Sequence, residues 1–249
     1  MRHLLVSDIH SNVEAMDVCL ARAEKAGFDS VLCCGDIVGY GPDPNDVVDR
    51  IRELEAVTIR GNHDRVACGQ DEPADFNPYA KAAALWTRAA LTPATNEYLR
   101  ALPLGPLGVG AGAQMVHGAI TDEDDYIMGE SPAMENFILS ESHLTFFGHS
   151  HFQIAFSCDE TGKVAVETVE EADPTSAVLP LKPEKQYLIN PGSVGQPRDG
   201  DARAGFAIWD TDRSRLEFYR AEYPIGVTQK KMQAENLPPY LIDRLAHGR

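Results

Sequence analysis

Five short apolar runs in this chain each end on residues of metal-ligand type, seven in all. Asp8 and His10 follow Leu4-Leu5-Val6, and Asp36 follows Val31-Leu32-Cys33-Cys34. Asn62 follows Val57-Thr58-Ile59, His117 follows Met115-Val116, and His149 with His151 follow Leu144-Thr145-Phe146-Phe147. Ligands at the carboxyl ends of several buried strands converge on one crevice when those strands lie side by side. A crevice rich in Asp, His and Asn is what a pair of divalent cations requires, so the pattern points to a dinuclear metal hydrolase.

The surrounding pattern sets the fold class. From residue 3 to about residue 64 apolar strands alternate with amphipathic helices, predicted over Val13 to Ala26 with a Gly27 stop and over Pro44 to Leu54. Such alternation indicates a parallel sheet covered on both faces. A helical insertion is predicted at about 77–102, its second half opening with Thr92-Pro93 as N-cap and first helical residue. The second half is β-rich, with strand-like runs at 113–117, 144–147, 152–157, 163–169, 186–189, 204–209 and 215–219. The segment 170–184, with three prolines, reads as loop, and the tail at about 226–249 reads as helix broken at Pro238-Pro239. Two stacked mixed β-sheets with helices outside would hold both halves in a single domain over 1–249.

Composition excludes some functions. A net charge of −16 argues against binding long nucleic acid, whose phosphates demand a basic surface. It leaves room for a small phosphorylated substrate, because metal ions supply local positive charge. No apolar stretch approaches the roughly 18 residues that span a bilayer, and no basic-then-apolar leader precedes the first strand, so no membrane association and a cytoplasmic location are expected. Five cysteines without a C-x-x-C pair fit a reducing compartment and no disulfides. Oligomeric state is not legible.

Within the motifs, Asp8-Ile9-His10 and His149-Ser150-His151 each place residues i and i+2 on one side of an extended chain. Asp36, between glycines, carries two anionic oxygens and can bridge two cations. In Gly61-Asn62-His63-Asp64 the Asn62 carbonyl is a neutral ligand, His63 a general-acid candidate and Asp64 a group to orient it; the same tetrapeptide also reads as a capped turn. Five of eight histidines fall in these segments, leaving His3, His143 and His247 outside. No serine or cysteine sits in a nucleophile arrangement. Asn12 and Arg198 are candidate substrate-binding residues. Arg198 either contacts a phosphate oxygen or pairs on the surface with Asp199 or Asp201, and Tyr40 either lines the substrate mouth or packs.

The ordered series Asp8-x-His10, Gly35-Asp36, Gly61-Asn62-His63-Asp64, His117-Gly118 and Gly148-His149-x-His151 resembles the calcineurin-like metallophosphoesterase superfamily. Asn190-Pro191-Gly192-Ser193-Val194-Gly195-Gln196-Pro197-Arg198 extends the likeness toward its small bacterial and archaeal phosphodiesterase-type branch. The resemblance implies an α/β, four-layer α/β/β/α sandwich and two half-sites. Asp8, His10 and His151 would hold one metal, Asn62, His117 and His149 the other, with Asp36 between them. The mixed oxygen and imidazole donors suit Mn, Fe, Zn or Ni better than Ca. The implied reaction is hydrolysis of a small phosphodiester or phosphomonoester by a hydroxide bridging the metals. A phosphoprotein phosphatase and a catalytically silent scaffold of the same fold are the alternatives.

Overall fold

The computed structural model describes residues 1–249. Its first part alternates as predicted: β1 (Arg2–Val6), α1 (Val13–Ala26), β2 (Ser30–Cys33), α2 (Pro44–Glu53) and β3 (Val57–Thr58). These strands run parallel, with Leu4 beside Val31 and Cys33 beside Thr58. The Asn12 side chain accepts from the Ala15 amide and so starts α1, satisfying a donor that the helix itself leaves free. Three helices follow: α3 (Asn62–Ala67), α4 (Pro78–Ala90) and α5 (Pro93–Ala101). The last two fill the predicted insertion, and the Thr92 hydroxyl caps α5 as expected.

The β-rich half comprises β4 (Leu107–Gly110), β5 (Ala113–Met115), α6 (Glu130–Leu139), β6 (Leu144–Phe146), β7 (Gln153–Cys158) and β8 (Val164–Val166). It continues through β9 (Glu170–Asp173), β10 (Ser176–Pro180), β11 (Gln186–Pro191), β12 (Ala204–Asp210) and β13 (Arg215–Ala221). The tail is helical, with α7 (Ile225–Ala234), α8 (Pro239–Arg244) and a closing 3-10 turn at Leu245–His247. The 170–184 stretch corrects the loop expected there: β10 pairs along β13, and β9 pairs with β10 at the sheet edge. Every β9 side chain is exposed, so it shows no apolar alternation, and its acidic residues discourage edge-to-edge pairing with another chain.

Two mixed sheets result, of order β3-β2-β1-β12-β13-β10-β9 and β4-β5-β6-β11-β7-β8. Leu5, Leu32, Trp209 and Phe218 from the first meet Met115, Phe146 and Ile189 from the second in an inner core. On the outer face of the first sheet Leu4, Val6 and Phe206 pack against Met16, Val47 and Ile51 of α1 and α2. On the outer face of the second, Phe147, Phe156 and Leu188 cover Ala133 and Phe137 of α6. This is the four-layer α/β/β/α sandwich. Each fully buried Phe or Leu contributes about 1.5–3 kcal/mol.

Arg2 of β1 reaches across the first sheet to Asp210 at 2.8 Å and Glu217 at 2.9 Å. Burial alone would push the Glu217 carboxyl up, but hydrogen bonds from Arg2 and Tyr219 outweigh it and hold it at about 2. All five cysteines are buried and unpaired. No helix is long and apolar enough to cross a membrane.

Candidate metal centre

The carboxyl ends of β1, β2, β3, β5 and β6 meet at one end of the sandwich, and all seven predicted ligands lie there, buried. The route differs from the extended pairs expected. Asp8, His10, Asp36, His149 and His151 take φ of 52°, 48°, 52°, 63° and 61°. The left-handed region costs an L-residue roughly 1–2 kcal/mol, and such strain persists only where surroundings hold it. Here the backbones of two loops lock together: the Asp8 amide donates to the Gly35 carbonyl at 3.0 Å and the His10 amide to the Asp36 carbonyl at 3.1 Å.

Four imidazoles are oriented by backbone carbonyls, which can only accept. Nδ1 of His10, His117 and His151 faces the carbonyls of Val38, Cys34 and Gln196 at 3.0, 2.8 and 2.6 Å. Those nitrogens therefore carry the proton and leave Nε2 as the donor atom. His149 is reversed: Nε2 faces the Asp124 carbonyl at 3.0 Å, freeing Nδ1.

The freed atoms converge. Nε2 of His10 and His151 lie 3.1 Å apart, lone pair toward lone pair. Asp36 Oδ2 is 3.6 Å from His10 Nε2 and 3.3 Å from His117 Nε2, while Asn62 Oδ1 is 3.3 Å from His117 Nε2. Ligand atoms of Asp8, His10, Asp36 and His151 all fall within 4.8 Å of one another, and so do those of Asp36, His117 and His149. Asp36 belongs to both groups. Its Oδ2, like Asp8 Oδ2, is buried without a hydrogen-bond partner. Cations set between these carboxylate oxygens and the apposed imidazole lone pairs would satisfy both, so the residues fit two divalent ions.

Charge balance agrees. Burial pushes the Asp8 carboxyl up to about 7 and drives His149 down to about 3, with His10 and His151 also held well below the usual imidazole value. Burial would likewise lower His117, but the Asp36 carboxylate raises it to about 10. Asp36, which burial alone would push up, is held well below its usual value by the facing imidazoles of His117, His63 and His10. Burial thus keeps His10, His149 and His151 neutral, with lone pairs free to meet a cation.

Asn62, His63 and Asp64 open α3 rather than forming an isolated turn. Asp64 does not orient the His63 ring as expected. Its two oxygens accept from the Val38 amide at 3.0 Å and the Gly61 amide at 2.9 Å, so it locks two site loops together. His63 is instead held by its amide, which donates to Asp36 Oδ1 at 2.8 Å, and by rings: His10, Tyr40 and Phe76 lie 4.9, 4.4 and 4.6 Å away between centroids. Its Nδ1 is buried and unpartnered, and burial lowers the imidazole to about 4.

A cleft of about 230 Å³ opens over these groups. Arg198 lines it without a carboxylate partner: Asp199 pairs with Arg220 and Asp201 with Arg203. The guanidinium sits 5.6 Å from the Tyr40 ring centroid and donates to Gln196 Oε1 at 3.0 Å. Tyr40 thus both packs and lines the mouth. Asn12 corrects the substrate contact expected of it, because both amide atoms are committed, to Gly195 on one side and to Ala15 and Thr228 on the other. Phe76, Tyr126 and Asp124 line the cleft too and went unnoticed in sequence. Phe76 inside a polar stretch was a usable signal, whereas the loop carrying Asp124 and Tyr126 offers no periodicity.

Comparison with known proteins agrees with this geometry. A family model described as the calcineurin-like phosphoesterase superfamily domain matches residues 1–214. The uncharacterized protein MJ0912 of Methanocaldococcus jannaschii is 35% identical over 252 residues, covering 98% of this chain and 97% of the relative. A metallophosphoesterase from Sphaerobacter thermophilus superposes with a TM-score of 0.84 at 36% identity, covering 100% of this chain and 99% of that one. The hypothetical protein PH1004 from Pyrococcus horikoshii OT3 shares the fold, with a TM-score of 0.80 at 20% identity over 100% and 98% of the two chains.

Proposed function

Since the chain belongs to the calcineurin-like phosphoesterase superfamily, we propose that it hydrolyses a small phosphodiester or phosphomonoester with two divalent cations, Mn, Fe, Zn or Ni, at the Asp36 centre. The observation that carries this reading is Asp36, a buried carboxylate that belongs to both ligand groups and whose Oδ2 makes no hydrogen bond. Asp8, His10 and His151 would hold one ion, Asn62, His117 and His149 the other. When bound, such a pair acidifies water near neutral pH and neutralises phosphate charge.

The remaining work falls to the protein's own side chains. Arg198, free of carboxylates, grips a phosphate oxygen through two N–H groups. His63 presents Nε2 to the cleft, since Nδ1 is packed inward, and gives that proton to the departing oxygen. Burial keeps His63 neutral; the negative charge of a bound phosphoester favours the protonated form and readies it as an acid. Tyr40 and Phe76 fix the ring so that the proton is aimed.

Metal-stripped protein reconstituted with Mn²⁺, Ni²⁺, Zn²⁺ or Mg²⁺ and assayed on an aryl phosphodiester, an aryl phosphomonoester and a phosphopeptide tests this. Metal-dependent turnover of the small esters is expected. Preference for the phosphopeptide would make the protein a phosphoprotein phosphatase, and full metal loading with no turnover would make it a scaffold.

A further inference from the structure

His10, His117 and His151 take their orientation from the carbonyls of Val38, Cys34 and Gln196 respectively, all three buried residues. His149 does not. The carbonyl facing it belongs to Asp124, in a stretch between β5 and α6 that has no regular secondary structure. Asp122, Asp124 and Asp125 beside it are exposed, so the loop cannot hold that carbonyl by burial of its own aspartates.

Two residues of the loop turn inward, Ile127 into the core beneath α6 and Glu123 toward the Asn62 segment. Glu123 is only 7% exposed. Its Oε2 and Oε1 accept from Arg60 Nε at 3.2 Å and Arg60 Nη2 at 3.1 Å, and Oε1 also accepts from Arg65 Nη1. Arg65 Nη2 holds the neighbouring Asp124 carboxylate at 2.7 Å. Gly118 lets the loop fold back, because a Cβ there would lie 2.5 Å from the Glu123 carbonyl oxygen and 2.6 Å from that of Asp125. Both arginines belong to the Asn62 segment: Arg60 precedes it by two residues, and Arg65 lies on α3, which Asn62 begins. Glu123 therefore joins the element that carries Asn62 to the carbonyl that orients His149.

We propose that Glu123 is the positioning residue of the half-site formed by Asn62, His117 and His149. Through two arginines it sets the distance between the carboxamide and imidazole donors, so its loss weakens that half-site alone. The Asp8, His10 and His151 half-site takes no hydrogen bond from Glu123, Arg60 or Arg65, its imidazoles being oriented by the Val38 and Gln196 carbonyls, and keeps its ion. The proposal rests on the two-cation reading above. Removing a group that orients a metal ligand typically costs about 10–100-fold in metal affinity.

Binding of Mn²⁺ to metal-stripped wild type, Glu123→Gln and Glu123→Ala, measured by equilibrium dialysis with metal analysis and by electron paramagnetic resonance, tests it. In both variants the first equivalent should bind with unchanged Kd and the second about 10–100-fold more weakly. At two equivalents the spin-coupled signal of wild type should give way to a mononuclear one. Glu123→Gln keeps the side chain's size, so it decides the matter if Glu123→Ala fails to fold. Glu217→Gln breaks an ion pair remote from the centre and should leave both equivalents intact, separating positioning from general destabilisation. Variants that bind both equivalents like wild type, or lose both equally, overturn the proposal. Wild type that binds a single equivalent overturns the two-cation reading instead.

Discussion

Gly39→Ala should disable His63 without touching a metal ligand. Gly39 takes φ +94°, and a Cβ there would sit 2.6 Å from His63 Nδ1 and 3.0 Å from Cγ. Ordinary contact begins near 3.4 Å, so the ring must retreat by about 0.8 Å. Tyr40 and Phe76 leave it no parallel route, and it must tilt out of line with the cleft. A misplacement of about 1 Å in a reacting group costs on the order of 10²-fold in rate. Turnover of an alkyl phosphoester, whose leaving group needs a proton, should therefore fall about 10²-fold. A p-nitrophenyl ester, whose leaving group needs none, should lose far less. Metal content should stay at two per chain. The left-handed alanine should cost about 1–2 kcal/mol, lowering Tm by about 2–8 °C. A variant that kept wild-type turnover on the alkyl ester, or lost both esters equally, would refute the role given to His63.

Three further outcomes are expected. His63→Ala should lower turnover of the same alkyl ester by about 10²–10⁴-fold, with metal analysis unchanged; near-full turnover would remove the general acid. Arg198→Ala loses a charge-assisted contact worth about 1.5–3 kcal/mol, so kcat/KM should drop about 10–100-fold, and Arg198→Lys should restore only part because it cannot grip with two prongs. In acid, the Glu217 carboxylate, held at about 2 against an ordinary 4.5, contributes stability that is complete above about pH 4.5 and lost as pH falls toward 2. Glu217→Gln should accordingly flatten the fall of Tm across that window, and a parallel decline in both proteins would show that Glu217 is not its source.

The candidate ligands were legible because each closes an apolar run, and the α/β/β/α class because α1 and α2 show clear three-to-four-residue stripes. α3 was not legible: at six residues it is shorter than two turns and leaves no periodic trace. β9 was hidden because an edge strand of Glu170, Glu171, Ala172 and Asp173 buries nothing. The left-handed backbone at Asp8, His10, His149 and His151 comes from hydrogen bonds between loops far apart in sequence, so spacing alone suggested an extended chain. Asp64 stands next to His63 in sequence yet holds Val38 and Gly61, and the Arg60–Glu123–Arg65 clamp joins residues that no local pattern links.

The most direct test of the metal centre is anomalous diffraction from crystals grown with Mn²⁺. Two peaks about 3.5–4 Å apart are expected on either side of Asp36 Oδ2, one against His10 and His151 and the other against Asn62, His117 and His149. A single peak, or two that share no Asp36 oxygen, would contradict it.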